Sequence, residues 1–225
     1  MIDLDPSRRE WWYLVGLIAT DGCLVGNGRR VVLVAKERSF LEMLRDRCGL
    51  KNAVRKHWNG RGLLAHRINI CGREFWLRMS AIGLTPAKSK TIGALEIPEA
   101  MFGDFTRGVI DGDGSIRRWI HPTNDREQWS LRIYSASGPF LEWLQARLMK
   151  SFAVEGRIHR SHGSVKVLKF GKLAAQRILS SCYDDDVPAL ERKRRLALAC
   201  VAVPNGWSRS KTVGQVAKLA NAADS

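Results

Sequence analysis

Acidic residues are what this sequence is short of. Against 37 lysines and arginines stand 22 aspartates and glutamates, a formal charge of +15 over 225 residues. That excess disfavours basic partners and favours a polyanion, nucleic acid above all. Long apolar runs are missing too. None approaches the roughly 18 residues of a membrane span. The five cysteines, Cys23, Cys48, Cys71, Cys182 and Cys200, form no CxxC pair and no tight cluster. This argues against a disulfide framework and for buried, reduced thiols. His159 and His162 lack the nearby partners that a zinc site needs. The opening MIDLDPSRRE is polar and acidic, unlike a secretory signal. A cytoplasmic or organellar protein, neither secreted nor membrane-bound, is expected.

Because acids are scarce, a repeated one is informative. LVGLIATDG, residues 14–22, returns 92 positions later as TRGVIDGDG, residues 106–114. Gly16 then aligns with Gly108, Ile18 with Ile110, Asp21 with Asp113 and Gly22 with Gly114. Pro6 aligns with Pro98. Each copy reads as a helix opened by proline and closed by glycine, with an aspartate in its last turn. The carboxyl end of a helix already carries partial negative charge, so an acid there is out of place unless a cation joins it. If the two helices pack through Gly16, Gly108 and the small Ala19, Thr20 and Gly112, then Asp21 and Asp113 converge on a shared site. An ion such as Mg²⁺ prefers such oxygens.

Around these stretches the chain reads as α-β-β-α-β-β-α. The Gly26-Asn27-Gly28 turn signals a hairpin after the first motif. Helices follow near residues 39–48 and 73–82, and strands near 53–58 and 65–70, the latter two joined by a turn at Asn59 to Gly62. Trp11, Trp12 and Tyr13 suit core packing. FLEMLRDR, residues 40–47, returns as FLEWLQAR, residues 140–147, at an offset of 100. Eight residues have thus been added, and the polar stretch 121–128 is the natural place for them. The expected fold class is α+β: two pseudo-symmetric αββαββα halves, 1–97 and 98–203, forming a saddle of two antiparallel sheets with the motif helices at the interface. Residues 204–225 belong to neither repeat and read as a linker, with a short helix near 216–223.

The two motifs resemble the paired signature helices of LAGLIDADG homing endonucleases in their single-chain form. The resemblance covers roughly residues 8–200, specific at the motifs and loose between them. The first copy departs from the pattern at Ala19 and Thr20, but the aspartate carried over as metal-binding is kept as Asp21 and Asp113. The resemblance implies a monomeric endodeoxyribonuclease that cuts one phosphodiester per strand of a long double-stranded DNA target, leaving a staggered break. Asp21 and Asp113, with the carbonyls of Thr20 and Gly112, would hold Mg²⁺, for which Mn²⁺ would substitute. Lys36 matches a basic residue usual near the scissile phosphate, although an ordinary solvated lysine explains it equally well. Its counterpart is Ala136, so Ser135, Lys88, Lys90 and Lys193 are candidates to replace it. Without a replacement, the two strands should be nicked at unequal rates.

Strand alternation places one face of each sheet under helices and leaves the other open. Outward parity falls to Arg30, Arg55, His57, Arg67, Asn69, Arg117, Arg132, Arg157 and His159. Arginine can pair with guanine and asparagine with adenine, while phosphate contact is the plainer role for any one of them. The halves differ at nearly every outward position, so a palindromic target is not expected. Two rival functions use the same fold. One is an intron maturase with an RNA partner; the other is a non-catalytic DNA-binding regulator. Retention of both aspartates favours cleavage.

Overall fold

The computed structural model describes residues 5–58, 60, 62–184 and 186–204. The first half runs α1 (Arg9–Thr20), β1 (Gly22–Leu24), β2 (Arg30–Ala35), α2 (Arg38–Arg47), β3 (Arg55–Trp58), β4 (Leu64–Cys71) and α3 (Arg73–Ala81). The second runs α4 (Phe102–Asp113), β5 (Gly114–Ile120), β6 (Glu127–Ser135), α5 (Gly138–Phe152), β7 (Arg157–Arg160), β8 (Lys166–Phe170) and α6 (Lys172–Cys182). A further helix, α7 (Glu191–Ala202), follows. The sheets have the same strand order, β1-β2-β4-β3 and β5-β6-β8-β7. All neighbouring strands are antiparallel. The fold is α+β with two αββαββα halves, as the internal repeat indicates.

Alternation decides which face is buried. Val31, Leu33, Ile68 and Ile70 are sealed under the helices of the first half, and Leu131, Ile133, Leu168 and Phe170 under those of the second. Trp11, Trp12 and Tyr13 are core residues, with Trp11 set edge-on to Phe75 at 5.8 Å. The hairpin signal is correct: the Val25 amide donates to Arg30 across the turn at 2.9 Å, and Gly28 takes φ +69°.

Four expectations need correction. Pro6 does not open α1, which begins at Arg9; the Asp5 carboxylate instead accepts from the amide and hydroxyl of Ser7 in a preceding turn. Pro98 likewise precedes a 3-10 turn, Glu99–Met101, that leads into α4. Glycine does close both motif helices, Gly22 directly after the Asp21 cap and Gly114 as the cap of α4, and neither takes a positive φ. A Cβ on Gly22 would lie 2.6 Å from Ile18 Cα, and one on Gly114 2.7 Å from Ile110 Cα. Glycine is needed there because the departing strand folds tightly back over its own helix.

The eight added residues lengthen the hairpin arms rather than its loop. Gly22 pairs with Leu33, whereas Gly114 pairs with Ile133. Cys23 and Cys71 are exposed, and only Cys48, Cys182 and Cys200 match the expected buried thiols. Cys23 and Cys71 escape burial because they fall on the outward parity of β1 and β4. The turn residues Asn59 and Arg61 and the tail beyond Pro204 lie outside the described residues. Among the described residues, no helix is long and apolar enough to cross a membrane.

Candidate metal and nucleic-acid site

The two motif helices meet through their glycines. A Cβ on Gly16 would run into the Phe105 carbonyl and come 2.9 Å from Gly108 Cα; one on Gly108 would run into the Tyr13 carbonyl and come 2.9 Å from Gly16 Cα. Only bare backbone permits that approach. At the carboxyl ends, Gly112 faces the Thr20 side chain, and its absent Cβ would sit 3.3 Å from Asp21 Oδ2. The Asp21 carboxylate therefore reaches across the last turn of α4, beside Asp113.

Each acid feels that crowding. Asp21 keeps open surface and Asp113 is half-buried, yet packed protein strips enough water from both to raise their pKa values. Burial and then the Asp21 charge push Asp113 up to about 6. Burial also raises Asp21, opposed by Lys193, Lys88 and Arg192. Two carboxylates flanked by helix-end carbonyls form an all-oxygen donor set suited to a hard divalent ion. Among the described residues, no cluster of three or more His, Cys, Asp or Glu side chains offers an alternative.

Two buried lysines complete the site, one behind each helix end. Lys88 Nζ, in the 3-10 turn Lys88–Lys90, donates to Gly22 O at 2.6 Å and lies 3.4 Å from Thr20 O. Lys193 Nζ, on α7, donates to Ile110 O and Asp111 O at 2.7 Å and to Gly112 O at 3.0 Å. Burial lowers both, Lys193 to about 8, while the charges of Asp21 and Asp113 oppose that shift. These two were among the four candidate substitutes for Lys36. Lys36 itself is exposed at the end of β2, where its carbonyl contacts His66 Nδ1 at 3.1 Å.

The position of Lys193 depends on a buried network that the motif alone does not reveal. Asp111 accepts from Tyr13 OH, Tyr183 OH and the Leu190 amide, each at 2.7 Å. Arg107, fully buried, donates to Pro188 O and Cys182 O and pairs with Asp104 at 2.8 Å. Together they clamp the segment between α6 and α7 onto α4, which sets the start of α7 and hence Lys193. The sequence signal was Arg107, Asp104 and Asp111 along the motif helix that also carries Asp113, too ambiguous to assign unaided.

The open faces of the two sheets flank the acids, because β1 and β5 leave directly from them. Pairing register puts Arg30, Arg55, His57, Arg67 and Asn69 on one outward face, and Arg117, Arg132, Arg157 and His159 on the other. Trp119, Gln128, Tyr134 and Lys169 share the second face, although nothing in their spacing set them apart as contacts. Arg132, Lys169 and Arg157 stand in one row across three strands, and Arg55 stands opposite Arg67. Like charges directly opposed destabilise a sheet, and an anion laid over them would offset that. Arg67 Nε, Arg132 Nε and Asn69 Oδ1 find no hydrogen-bond partner within the protein.

No protein-family model and no curated protein matches this sequence. Solved structures do match, at low identity. The meganuclease I-SmaMI bound to uncleavable DNA superposes with a TM-score of 0.59 at 12% identity, over 97% of each chain. Full-length DUF199/WhiA from Thermatoga maritima gives 0.56 at 16% identity, covering 99% of this chain and 69% of that one. The homing endonuclease I-DmoI in complex with DNA and Ca gives 0.56 at 16%, over 85% and 96%. With two signature helices abutting at the centre and one four-stranded sheet on either side, the chain is a LAGLIDADG-fold protein of the single-chain, two-motif form.

Proposed function

We propose that the protein is a metal-dependent, site-specific endonuclease of double-stranded DNA, acting as a monomer whose halves, 1–97 and 98–203, each serve one strand. The observation that carries this reading is the meeting of Asp21 and Asp113 between two outward basic sheet faces. Asp21 and Asp113, with the Thr20 and Gly112 carbonyls, would hold divalent ions, Mg²⁺ or Mn²⁺. Such ions, when bound, neutralise charge on the phosphate undergoing attack and lower the pKa of water.

The chain's own residues do the rest. Rows of arginine and lysine grip the backbone and read base edges in the major groove. Lys88 and Lys193 supply positive charge near the scissile phosphates, a role in which they displace Lys36 because they sit at the helix ends and act electrostatically on both acids while it is solvated. Binding is expected to weaken steeply with salt, since several phosphates are neutralised together.

A second reading is a non-catalytic DNA-binding regulator on the same fold. It draws on one observation: Lys193 already bonds the Gly112 carbonyl that a metal would use. The two readings part on a single experiment. The protein is incubated with a library of randomised duplexes in Mg²⁺ and in Ca²⁺, alongside Asp21→Asn and Asp113→Asn. The endonuclease reading expects staggered cleavage in Mg²⁺ that both substitutions abolish. Cleavage that survives both removes the metal role of the aspartates; selective binding with no cleavage by the unaltered protein favours the regulator.

A further inference from the structure

The two reading faces are unequal in reach. β1 and β5 both start at the residue after a central aspartate, so strand length sets how far each hairpin extends from the centre. β1 has three residues and its turn closes at once through Val25 and Arg30; β5 has seven and pairs with β6 as far as Ile120 and Glu127. At about 3.4 Å per residue, the four additional residues carry the second hairpin about 14 Å further out. That is about four base pairs along a duplex with a 3.4 Å rise.

A ribbon that overhangs its core would curl away unless its back were held. Here it is held. Behind the extension, Arg118 pairs with Glu127 at 2.9 Å and lies over the Trp129 ring, while Trp129 Nε1 donates to Glu127 at 2.8 Å. Trp129 is buried, and α7 packs against β5 from behind. The front of the extension presents Arg117, Trp119 and Gln128, with Arg117 and Trp119 exposed.

Resting on the DNA-binding part of the proposed function, we infer that the second half reads about four base pairs further from the cleavage centre than the first. The outermost contacts come from Arg117, Trp119 and Gln128. Arginine and glutamine supply hydrogen bonds to purine edges, and the indole supplies an apolar surface for a thymine methyl. The footprint is therefore lopsided, and its long arm belongs to residues 114–135.

Selection of bound duplexes from a random library in Ca²⁺, followed by hydroxyl-radical footprinting, tests this. Protection should run about four base pairs further on one side of the centre than on the other. Arg117→Ala combined with Trp119→Ala should lose roughly tenfold or more discrimination at the outermost positions of the long side only. Arg30→Ala should act on the short side. Arg117→Ala alone repeats the measurement with the ring intact, and unchanged melting confirms folding. Equal arms, or a double variant that alters both sides alike, overturn the inference while leaving DNA recognition standing. Failure to enrich any duplex overturns DNA recognition itself.

Discussion

Lys88 and Lys193 are counterparts: each buries its ammonium against the terminal carbonyls of one central helix, and each acts electrostatically on both Asp21 and Asp113. Neither could be recognised by aligning motifs, since one sits in a 3-10 turn and the other on a helix. Yet each follows the last sheet-packing helix of its own half. Under the proposed function they stand in for the Lys36 equivalent missing at Ala136, and unequal nicking of the two strands is then not expected. Lys88→Met and Lys193→Met are each expected to slow one strand, and not the same one. Strand-specific end-labelling would show nicked intermediates of opposite polarity. Equal slowing of both strands by either variant would refute that division of labour.

The glycine contact sets a stability test that does not depend on function. Gly16→Ala or Gly108→Ala forces a methyl into the backbone of the facing helix, which has nowhere to go. Each should cost about 3 kcal/mol or more in urea unfolding. Gly26→Ala, with open space around its Cβ, should fall within about 0.5 kcal/mol of the parent. Comparable losses at all three positions would show that close approach is not what the motif glycines provide.

Asp113 makes stability depend on pH with a definite sign. Its carboxyl titrates near 6 in the folded chain against 3.8 ordinarily. Between those values the folded state holds the proton more tightly, so stability declines as pH rises from about 4 to about 6 and stays reduced above. In EDTA, Asp113→Asn should gain roughly 1–2 kcal/mol at pH 7 and little at pH 4. Adding Mg²⁺ to the parent at pH 7 should restore a comparable amount. Thermal melts across that range decide it, and a gain independent of pH would show that the buried charge is not its source.

Thiol labelling maps the outward face without substitutions. Cys23 and Cys71 are exposed on the first sheet's open side, one of them two residues from Asp21, whereas Cys48, Cys182 and Cys200 are buried. Burial also pushes the last three thiols up, to about 12, 12 and 11. Two thiols should react with iodoacetamide in the native protein, and bound duplex should protect both. Mass spectrometry of modified peptides reads the outcome. Labelling of Cys23 unaffected by saturating DNA would place the duplex elsewhere.

Period and repetition made much of this legible in the sequence. The alternation in residues 66–70, HRINI, and 131–134, LRIY, marked the buried faces, and the duplicated Gly-x-x-x-x-Asp-Gly marked which helices meet. Local rules failed where the reason for a residue lay in a distant partner. Pro6 and Pro98 looked like helix openers but serve turns one step earlier. Gly22 and Gly114 do close their helices, but the reason is a strand folding over its own helix. Helix α7 was invisible because its opening residues, 191–195, are all charged and only Lys193, Ala197 and Cys200 are buried, so no apolar stripe marks it. Its place is dictated by Arg107 and Asp111, some eighty residues away in the chain.

That same pair of residues makes the duplication irreversible. Under the repeat, Asp111 corresponds to Ala19, Arg107 to Val15 and Tyr13 to Phe105. Two copies of the amino-terminal half would set Tyr13 hydroxyls against alanine; two copies of the carboxy-terminal half would bury Asp111 opposite phenylalanine. Each half has become the other's obligatory template. An engineer who wished to graft one onto a foreign partner would have to rebuild this polar lock before choosing any base-reading side chain.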